Sequence, residues 1–255
     1  MLLKEQVALI TGAGGGFGAV FAKAFADEGA KVVLTDISEQ ALAGVIQQMK
    51  EAQAEYASFV LDVANKAQVE QTMAKTVERY GKLDILLNNA GGGLFTPKNL
   101  EEIEEKHWDL VLNVNLKGTF LCCQAAVPYM IAKKRGKIIN MSSIGGRTAS
   151  VVTSVAYAAA KGGIISFTRR LAKEVGGYGI NVNAIAPGTV MSGQRMINVW
   201  NDMTQTQQEE ILNSIPLGRL STPEEQASVV VFLASEMSSY LTGTVIDVNG
   251  GRFMA

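Results

Sequence analysis

The chain has 255 residues, of which 47% are hydrophobic and 18% are charged, and its formal net charge is −1 at pH 7. This composition supports an ordinary globular core, and we expect one domain over residues 1–255. The near-neutral charge gives no reason to expect a nucleic acid or an anionic membrane as partner. Because no apolar run is long enough to span a bilayer and no signal-peptide core is visible, we expect a cytoplasmic protein.

Side chains for the commonest acid–base and metal chemistry are scarce. His107 is the only histidine, and its setting, EEKHWDLV, predicts the exposed start of a helix. Cys122 and Cys123 are adjacent in an apolar helical pattern without disulfide or metal-ligand spacing. These counts disfavour Ser-His-Asp, Cys-His and metal sites, so acid–base chemistry needs another group.

The most informative stretch of the sequence is 7–18, VALITGAGGGFG, and the other predicted elements are interpreted in relation to it. A buried strand over 7–11 is followed by a glycine-rich turn and by a helix that stops at Gly29. This unit presents backbone N–H groups and a positive helix end to a phosphate, whose close approach a Cβ would block. A merely flexible glycine loop is the alternative. The turn follows TGxxxGxG and not the P-loop pattern, and its glycines are Gly12, Gly14, Gly15, Gly16 and Gly18.

Strands and helices alternate along the chain. Apolar runs predict further strands at 31–35, 56–61, 83–87, 137–141, 180–185 and 244–248. Helical periodicity predicts helices at 38–50, 65–80, 107–131 and 154–175. This alternation predicts an α/β fold with a doubly wound, parallel, seven-stranded sheet and helices on both faces.

Two aspartates at strand ends indicate which ligand binds at the glycine turn. Asp36 ends the second strand, where a carboxylate can accept hydrogen bonds from an adenosine ribose and repels a 2′-phosphate. Ile37 brings no cation to receive such a phosphate, so NAD is favoured, and Ser38 is better placed to cap the next helix. Asp62 has the same choice between binding the ligand and capping the next helix, and because Asn65 is the predicted cap, Asp62 is left free.

A tyrosine and a lysine provide a candidate acid–base pair. Tyr157 and Lys161, in YAAAK, lie four positions apart and share one face of the predicted helix at 154–175. An ammonium beside a phenol favours the phenolate and lowers a pKa that is otherwise about 10. Alone, the pattern also fits a solvated helix face, but here MSSIGG precedes it and the glycine turn accompanies it.

Together these motifs resemble the short-chain dehydrogenase/reductase family over nearly the whole chain. The matching stretches are TGAGGGFG, LDV, NNAG, NVNLKGTF, MSS with YAAAK, INVNAIAPGTV, PLGRLSTPEE, FLASEMSSYLTG and VIDVNGG. The resemblance implies a Rossmann-like fold and hydride transfer between NAD and a secondary alcohol or carbonyl compound of small to medium size. A 3-oxoacyl-carrier reductase is the nearest alternative. A catalytically idle, NAD-sensing scaffold is the alternative from another class, which the intact catalytic residues disfavour.

The resemblance also implies roles for individual residues. Tyr157 exchanges a proton with the substrate oxygen, and Lys161 lowers the tyrosine pKa and holds the nicotinamide ribose. Ser143 hydrogen-bonds the substrate oxygen, and Asn115 holds a water that links Lys161 to solvent. The implied contacts to NAD come from the glycine turn and from Phe17, Asp36, Ile37, Asp62, Val63, Asn89, Ala90, Gly91, Pro187, Gly188, Thr189 and Val190.

The region around the substrate departs most from the family. Ser143 and Tyr157 are fourteen positions apart, one more than is common, and we place the extra residue in the loop at 147–155. Residues 189–214 predict a mobile lid over the nicotinamide end, or an ordinary surface helix pair. Arg147 and Arg195 lie in these two segments and either bind an anionic group of the substrate or point into solvent.

The helices at 107–131 and 154–175 carry more apolar residues than one sheet-facing stripe needs. A second apolar face predicts a partner surface, and its residues are Phe120, Leu121, Val127, Met130, Ile164, Phe167 and Leu171. The resemblance implies that these helices pair into a four-helix bundle in a homodimer or homotetramer.

Overall fold

The computed structural model describes residues 1–149 and 153–255, without the side chain of Arg195. Its strands form one seven-stranded parallel sheet in the order β3-β2-β1-β4-β5-β6-β7. Every predicted strand is present, with ends shifted by at most about two residues, and the predicted fold class is confirmed. The strands are β1 Val7–Thr11, β2 Lys31–Asp36, β3 Tyr56–Val60, β4 Ile85–Asn88, β5 Gly136–Met141, β6 Ile180–Pro187 and β7 Val245–Val248.

Helices cover both faces of the sheet. Those described are α1 Gly16–Asp27, α2 Glu39–Glu51, α3 Lys66–Tyr80, α4 Glu105–Leu112, α5 Gly118–Lys133, α6 Val155–Val175, α7 Gln194–Asn201, α8 Gln205–Asn213 and α9 Pro223–Ala234. Buried residues of α1, α2 and α9 fill one face, where Phe21 and Phe25 are fully buried. Residues of α3, α5 and α6 fill the other face. Burial on both faces explains why the strands are apolar runs rather than alternating patterns.

The helix ends follow their predicted caps. Ser38 Oγ and Asn65 Oδ1 each accept a backbone N–H of the following helix at 3.2 Å, as predicted. His107 lies in the first turn of α4, where its Nδ1 accepts the N–H of Glu104 at 3.2 Å. The single histidine therefore serves a capping box at a helix start.

The helix predicted at 107–131 begins earlier and is interrupted. A π-helical segment, Asn113–Lys117, separates α4 from α5. Counted through the π-helical segment, the helical stretch Glu105–Lys133 has the length and composition of a membrane span, so the expectation that no run reaches that length is wrong for the described residues. Leu121 and Met130 on this stretch are buried against the sheet, as in a core helix.

The predicted second apolar face is smaller than expected. Leu121, Met130 and Ile164 are at most 5% exposed and belong to the chain's own interior, which corrects their assignment to a partner surface. Phe120, by contrast, is 41% exposed and meets Phe167 edge-to-face with ring centroids 6.4 Å apart. The outward apolar surface of α5 and α6 centres on these two rings.

Neighbouring strands β1 and β4 mark the point where the strand order reverses. The chain runs outward from β1 through β2 to β3, and then returns to β4 on the other side of β1. Loops after β1 and β4 therefore diverge and leave a crevice at the carboxyl end of the sheet, where open α/β sheets bind their ligands.

Candidate active site

The turn between β1 and α1 has the backbone of an anion site. Gly12 and Gly16 have positive φ angles of 64° and 54°, which glycine adopts without steric cost. A Cβ on Gly18 would collide with the carbonyl oxygen of Gly12, so only glycine lets α1 pack this closely on the turn. Gly15 precedes α1 without a capping side chain, which leaves the N-terminal N–H groups for an anionic ligand.

Thr11 and Asn89 hold this turn against the loop after β4. The side-chain amide of Asn89 donates to the carbonyl oxygens of Thr11 and Gly12 at 3.0 and 2.9 Å. The hydroxyl of Thr11 accepts the N–H groups of Asn89 and Ala90, each at 3.0 Å. The amide donors of Asn89 are committed to the turn, so this side chain fixes the turn's shape. Its predicted contact with the cofactor stays a prediction.

A cavity of about 700 Å³ opens at this crevice. The predicted cofactor residues that line it are Gly12, Gly15, Gly16, Phe17, Asp36, Ile37, Asp62, Val63, Asn89, Ala90 and Gly91. Gly14 and Gly18 lie outside this lining: the N–H of Gly14 donates to Asp36, and Gly18 is buried beneath the turn. These two glycines shape the turn rather than form the wall.

Two carboxylates lie in the wall. Asp36 Oδ2 accepts the N–H of Gly14 at 3.0 Å, and its Oδ1 accepts the N–H of Ser38 at 3.1 Å. Asp62 Oδ1 accepts the N–H of Ala64 at 2.9 Å, which makes a local turn. Among the wall residues that the structure describes, none is a lysine or an arginine.

These features fit a nicotinamide dinucleotide. The uncapped start of α1 suits a pyrophosphate, and the fixed carboxylate of Asp36 suits ribose hydroxyls because each oxygen retains a free lone pair. A Cβ added to Gly15 would meet no atom within 4 Å, so the turn is open on the cavity side. When bound, the nicotinamide ring supplies the hydride donor or acceptor.

Tyr157 and Lys161 share one face of α6 beside the end of β5. Ser154 caps this helix, with its Oγ accepting the N–H of Tyr157 at 3.2 Å. Lys161 is only 4% exposed, its Nζ lies 5.5 Å from the centroid of the Tyr157 ring, and it donates to the carbonyl oxygen of Met141 at 2.8 Å. Burial lowers the pKa of Lys161 to about 7, whereas the sequence alone implied a fully charged ammonium.

The serine pair after β5 divides into two roles. Ser142 Oγ donates to the carbonyl oxygen of Lys161 at 2.9 Å, which fastens the end of β5 to α6. Ser143 Oγ accepts the N–H of Gly145 at 3.1 Å, and its hydroxyl hydrogen is not required by that bond. Ser143 is the member of the pair that retains a donor.

Asn115 is fully buried in the π-helical segment. Its Nδ2 donates to the carbonyl oxygens of Gly92 and Val111 at 3.0 and 2.9 Å, and its Oδ1 accepts the N–H of Gly92 at 2.9 Å. These bonds fix the backbone after NNAG, a role the sequence did not reveal. A water held by Asn115 stays a prediction; both amide hydrogens are used, so the side chain can offer such a water only the second lone pair of Oδ1.

The stretch 187–190 lies outside the wall of the large cavity. Gly188 and Thr189 line a second cavity of about 460 Å³, next to β7 and the chain's C-terminal residues. Gly188 donates its N–H to the carbonyl oxygen of Val248 at 3.2 Å, and Thr189 Oγ1 accepts Arg252 Nη1 at 3.3 Å. The predicted contact of Pro187, Gly188, Thr189 and Val190 with the nicotinamide stays a prediction.

Arg147 corrects the prediction of an anion-binding side chain on the substrate loop. Its Nε and Nη2 pair with the two carboxylate oxygens of Asp247 at 3.0 and 2.7 Å, and Nη2 also donates to the carbonyl oxygen of Val245 at 3.1 Å. A fork satisfied in this way is not available to a substrate anion. The side chain of Arg195, and residues 150–152 of the loop predicted to hold the extra residue, lie outside the description.

The predicted lid contains a pair of short helices, α7 and α8, and the residues just before α7 reach the glycine turn. A Cβ on Gly16 would lie 3.1 Å from the carbonyl oxygen of Ser192. Ser192, Gly193, Gln194 and Met196 line the same large cavity as Asp36 and Asp62. The predicted helix pair is present, and the start of α7 borders the ligand cavity. That 189–214 acts as a mobile lid stays a prediction.

Both cysteines are buried, so neither thiol is accessible as a nucleophile or redox group. Cys122 and Cys123 are at most 1% exposed, and burial raises the pKa of Cys122 to about 12 and raises that of Cys123 as well. Among the described residues, no group of three or more His, Cys, Asp or Glu could hold a metal ion.

The uncapped glycine turn, Asp36 and the Tyr157–Lys161 pair define a dinucleotide-dependent oxidoreductase of the Rossmann type. Residues 12–252 match the family described as enoyl-(acyl carrier protein) reductase. The chain belongs to the short-chain dehydrogenase/reductase family, and it is an NAD(P)-dependent oxidoreductase of alcohols and carbonyl compounds.

Relatives and solved structures of this family cover nearly the whole chain. The 3-oxoacyl-(acyl-carrier-protein) reductase FabG of Thermotoga maritima is 40% identical over 251 residues, which is 98% of this chain and 99% of the relative. The 2-(S)-hydroxypropyl-CoM dehydrogenase 3 of Xanthobacter autotrophicus is 35% identical over 252 residues, 98% of this chain and 97% of the relative. Levodione reductase has a crystal structure similar to this one, with a TM-score of 0.90 and 36% identity over 98% of both chains.

Proposed function

We propose that the protein is an NAD-preferring alcohol dehydrogenase or carbonyl reductase for a substrate of small to medium size. The observation that carries the cofactor preference is the carboxylate of Asp36, which lines the large cavity and is held by the N–H groups of Gly14 and Ser38. Ribose hydroxyls can donate to its remaining lone pairs, whereas a 2′-phosphate meets a fixed negative charge with no described cation nearby.

The catalytic residues of this proposal transfer and stabilise charge at the substrate oxygen. Tyr157 takes the proton of the alcohol during oxidation and returns it during reduction. Ser143 donates a hydrogen bond to the same oxygen as its charge develops. The charged form of Lys161, 5.5 Å from the Tyr157 ring centroid, favours the phenolate, and the phenolate in turn favours the ammonium.

Cofactor kinetics test the preference. We expect kcat/KM for NAD to exceed that for NADP by at least about tenfold, which needs only ~1.4 kcal/mol. Asp36→Ala should reduce this ratio because the repulsion is removed. Asp27→Ala is the matched control, since it deletes an exposed carboxylate of α1 that pairs with Lys23 outside the cavity wall, and it should leave the ratio unchanged. Equal efficiency of the wild type with both cofactors would contradict the proposal.

A 3-oxoacyl-carrier reductase is the second candidate, favoured by the 40% identity to such an enzyme. The two candidates differ in substrate. Secondary alcohols, sugars and anionic hydroxy compounds are screened with NAD⁺ by the absorbance of NADH, and 3-oxoacyl thioesters are tested free and on a carrier protein. Higher kcat/KM for the carrier-bound thioester than for every small substrate would establish the second candidate.

We also propose that α5 and α6 form the interface of a homodimer or homotetramer. The edge-to-face pair of Phe120 and Phe167 lies on the outward side of these helices, and Val127 and Leu171 are partly exposed near it. Aromatic side chains at a solvated surface favour burial against a partner.

A further inference from the structure

A partly buried ion pair joins the loop that carries Ser143 to the last strand of the sheet. Ser143 begins a short 3-10 turn, Ile144–Gly146, and Arg147 follows it directly. Arg147 makes a two-pronged contact with Asp247 on β7, with bonds of 3.0 and 2.7 Å. Their side chains are only 10% and 16% exposed, so the pair is largely shielded from solvent and salt.

The C-terminal residues complete this contact. The guanidinium carbon of Arg147 lies 5.4 Å from the ring centroid of Phe253. Asn249 Oδ1 accepts the N–H groups of Gly251 and Phe253 at 3.1 and 3.3 Å, which curls the chain end back toward the loop. A planar guanidinium suits this setting because it can bind a carboxylate along its edge and an aromatic ring on its face.

The same 3-10 turn is pressed onto α6. A Cβ on Gly146 would lie 2.6 Å from the carbonyl carbon of Lys161, so the turn is in backbone contact with the helix that carries Tyr157. Arg147 therefore fixes the far side of a turn whose near side abuts the acid–base pair. The far side of this turn is thus held by Asp247, which lies one hundred positions after Arg147 in the chain.

We infer that Arg147 and Asp247 are positioning residues that hold Ser143 in register with Tyr157. Neither touches the reacting atoms. Their effect is transmitted through the 3-10 turn, and it rests on the role proposed for Ser143 in the reaction. Because misplacing a catalytic group by about 1 Å can cost on the order of a hundredfold in rate, loss of the pair should appear in kcat.

Single variants measure the size of the effect. Arg147→Ala should lower kcat by about ten- to a hundredfold, with the dissociation constant of the dinucleotide changed by less than about threefold. Arg147→Lys, which keeps the charge but not the fork, should give an intermediate kcat. The matched control is Arg135→Ala, which removes another long-range pair, to Glu236 at 2.8 Å on the exposed surface, and should leave kcat within about twofold.

A double-mutant cycle with Ser143→Ala separates positioning from general destabilisation. If Arg147 acts through Ser143, adding Arg147→Ala to Ser143→Ala should cost less than about threefold in kcat, because the group to be positioned is already gone. Rates are normalised to the concentration of dinucleotide-binding sites, so a loss of folded protein does not count. If Arg147→Ala does not fold, Arg147→Lys and Asp247→Asn are used in the same cycle.

The possible results distinguish this inference from the proposed function. An equal loss from Arg147→Ala in both backgrounds, or no loss in either, overturns the positioning role while leaving the role of Ser143 intact. A Ser143→Ala variant with wild-type kcat overturns both the role of that serine and the inference. Non-additive losses with unchanged dinucleotide affinity support both.

Discussion

We expect Lys161, the buried lysine beside Tyr157, to make the stability of the protein depend on pH. Lys161 has a pKa of about 7 in the folded chain, against an ordinary value of 10.5. Between these values the unfolded chain binds the proton and the folded chain does not. The free energy of unfolding contributed by this group therefore rises with pH from about pH 7 and levels off above the unfolded pKa.

The size of the effect follows from the two pKa values. Each pH unit inside the window is worth up to about 1.4 kcal/mol, and integration from pH 7 to pH 9 gives roughly 2 kcal/mol. Lys161→Met keeps a side chain of similar length without the titrating group. Relative to this variant, the wild type should thus gain about 2 kcal/mol over that range.

Urea unfolding provides the assay, followed by the fluorescence of Trp108 and Trp200 at fixed protein concentration without dinucleotide. The matched control is Lys133→Met, which removes an exposed lysine of α5 and should leave the pH dependence parallel to that of the wild type. Parallel curves for the wild type and Lys161→Met, within about 0.5 kcal/mol, would show that Lys161 is not desolvated as its burial implies.

Three further predictions concern turnover, assembly and substrate. Tyr157→Phe should lower kcat by on the order of a hundredfold or more and leave NAD binding nearly unchanged, and near-wild-type turnover would end its assignment as the acid–base. Light scattering at micromolar concentration should give a multiple of the chain mass of 27.2 kDa. The double variant Phe120→Asp with Phe167→Asp should shift the measured mass toward that of the monomer. A wild-type protein that is monomeric would refute the interface. Arg195→Ala should raise KM about ten- to a hundredfold for an anionic alcohol but not for a neutral one of the same shape. An equal loss on both substrates would mean that Arg195 supports the lid, and no change would place it in solvent.

Local patterns in the sequence determined the order of the elements, the glycine turn and the placement of Tyr157 and Lys161 on one helical face. Each depends on neighbours a few positions apart: the turn on closely spaced glycines, and the Tyr157–Lys161 face on helical periodicity. Asp36 was found in the same way, because the end of a parallel strand next to the turn is fixed by the βαβ topology. The helix caps at Ser38 and Asn65 also need only local spacing.

Contacts between distant parts of the chain decided the remaining features. The sequence predicted Arg147 to be available to a substrate because its partner, Asp247, is one hundred positions away, and no local pattern near Arg147 indicates that pairing. Asn115 turned out to brace Gly92, and the π-helical turn that aims it there has no periodic signature of its own. The outward apolar face of α5 was overestimated for the same reason. The helical pattern identifies which residues are apolar, but only the packing against the sheet shows that some of them, such as Met130, are buried inside the chain.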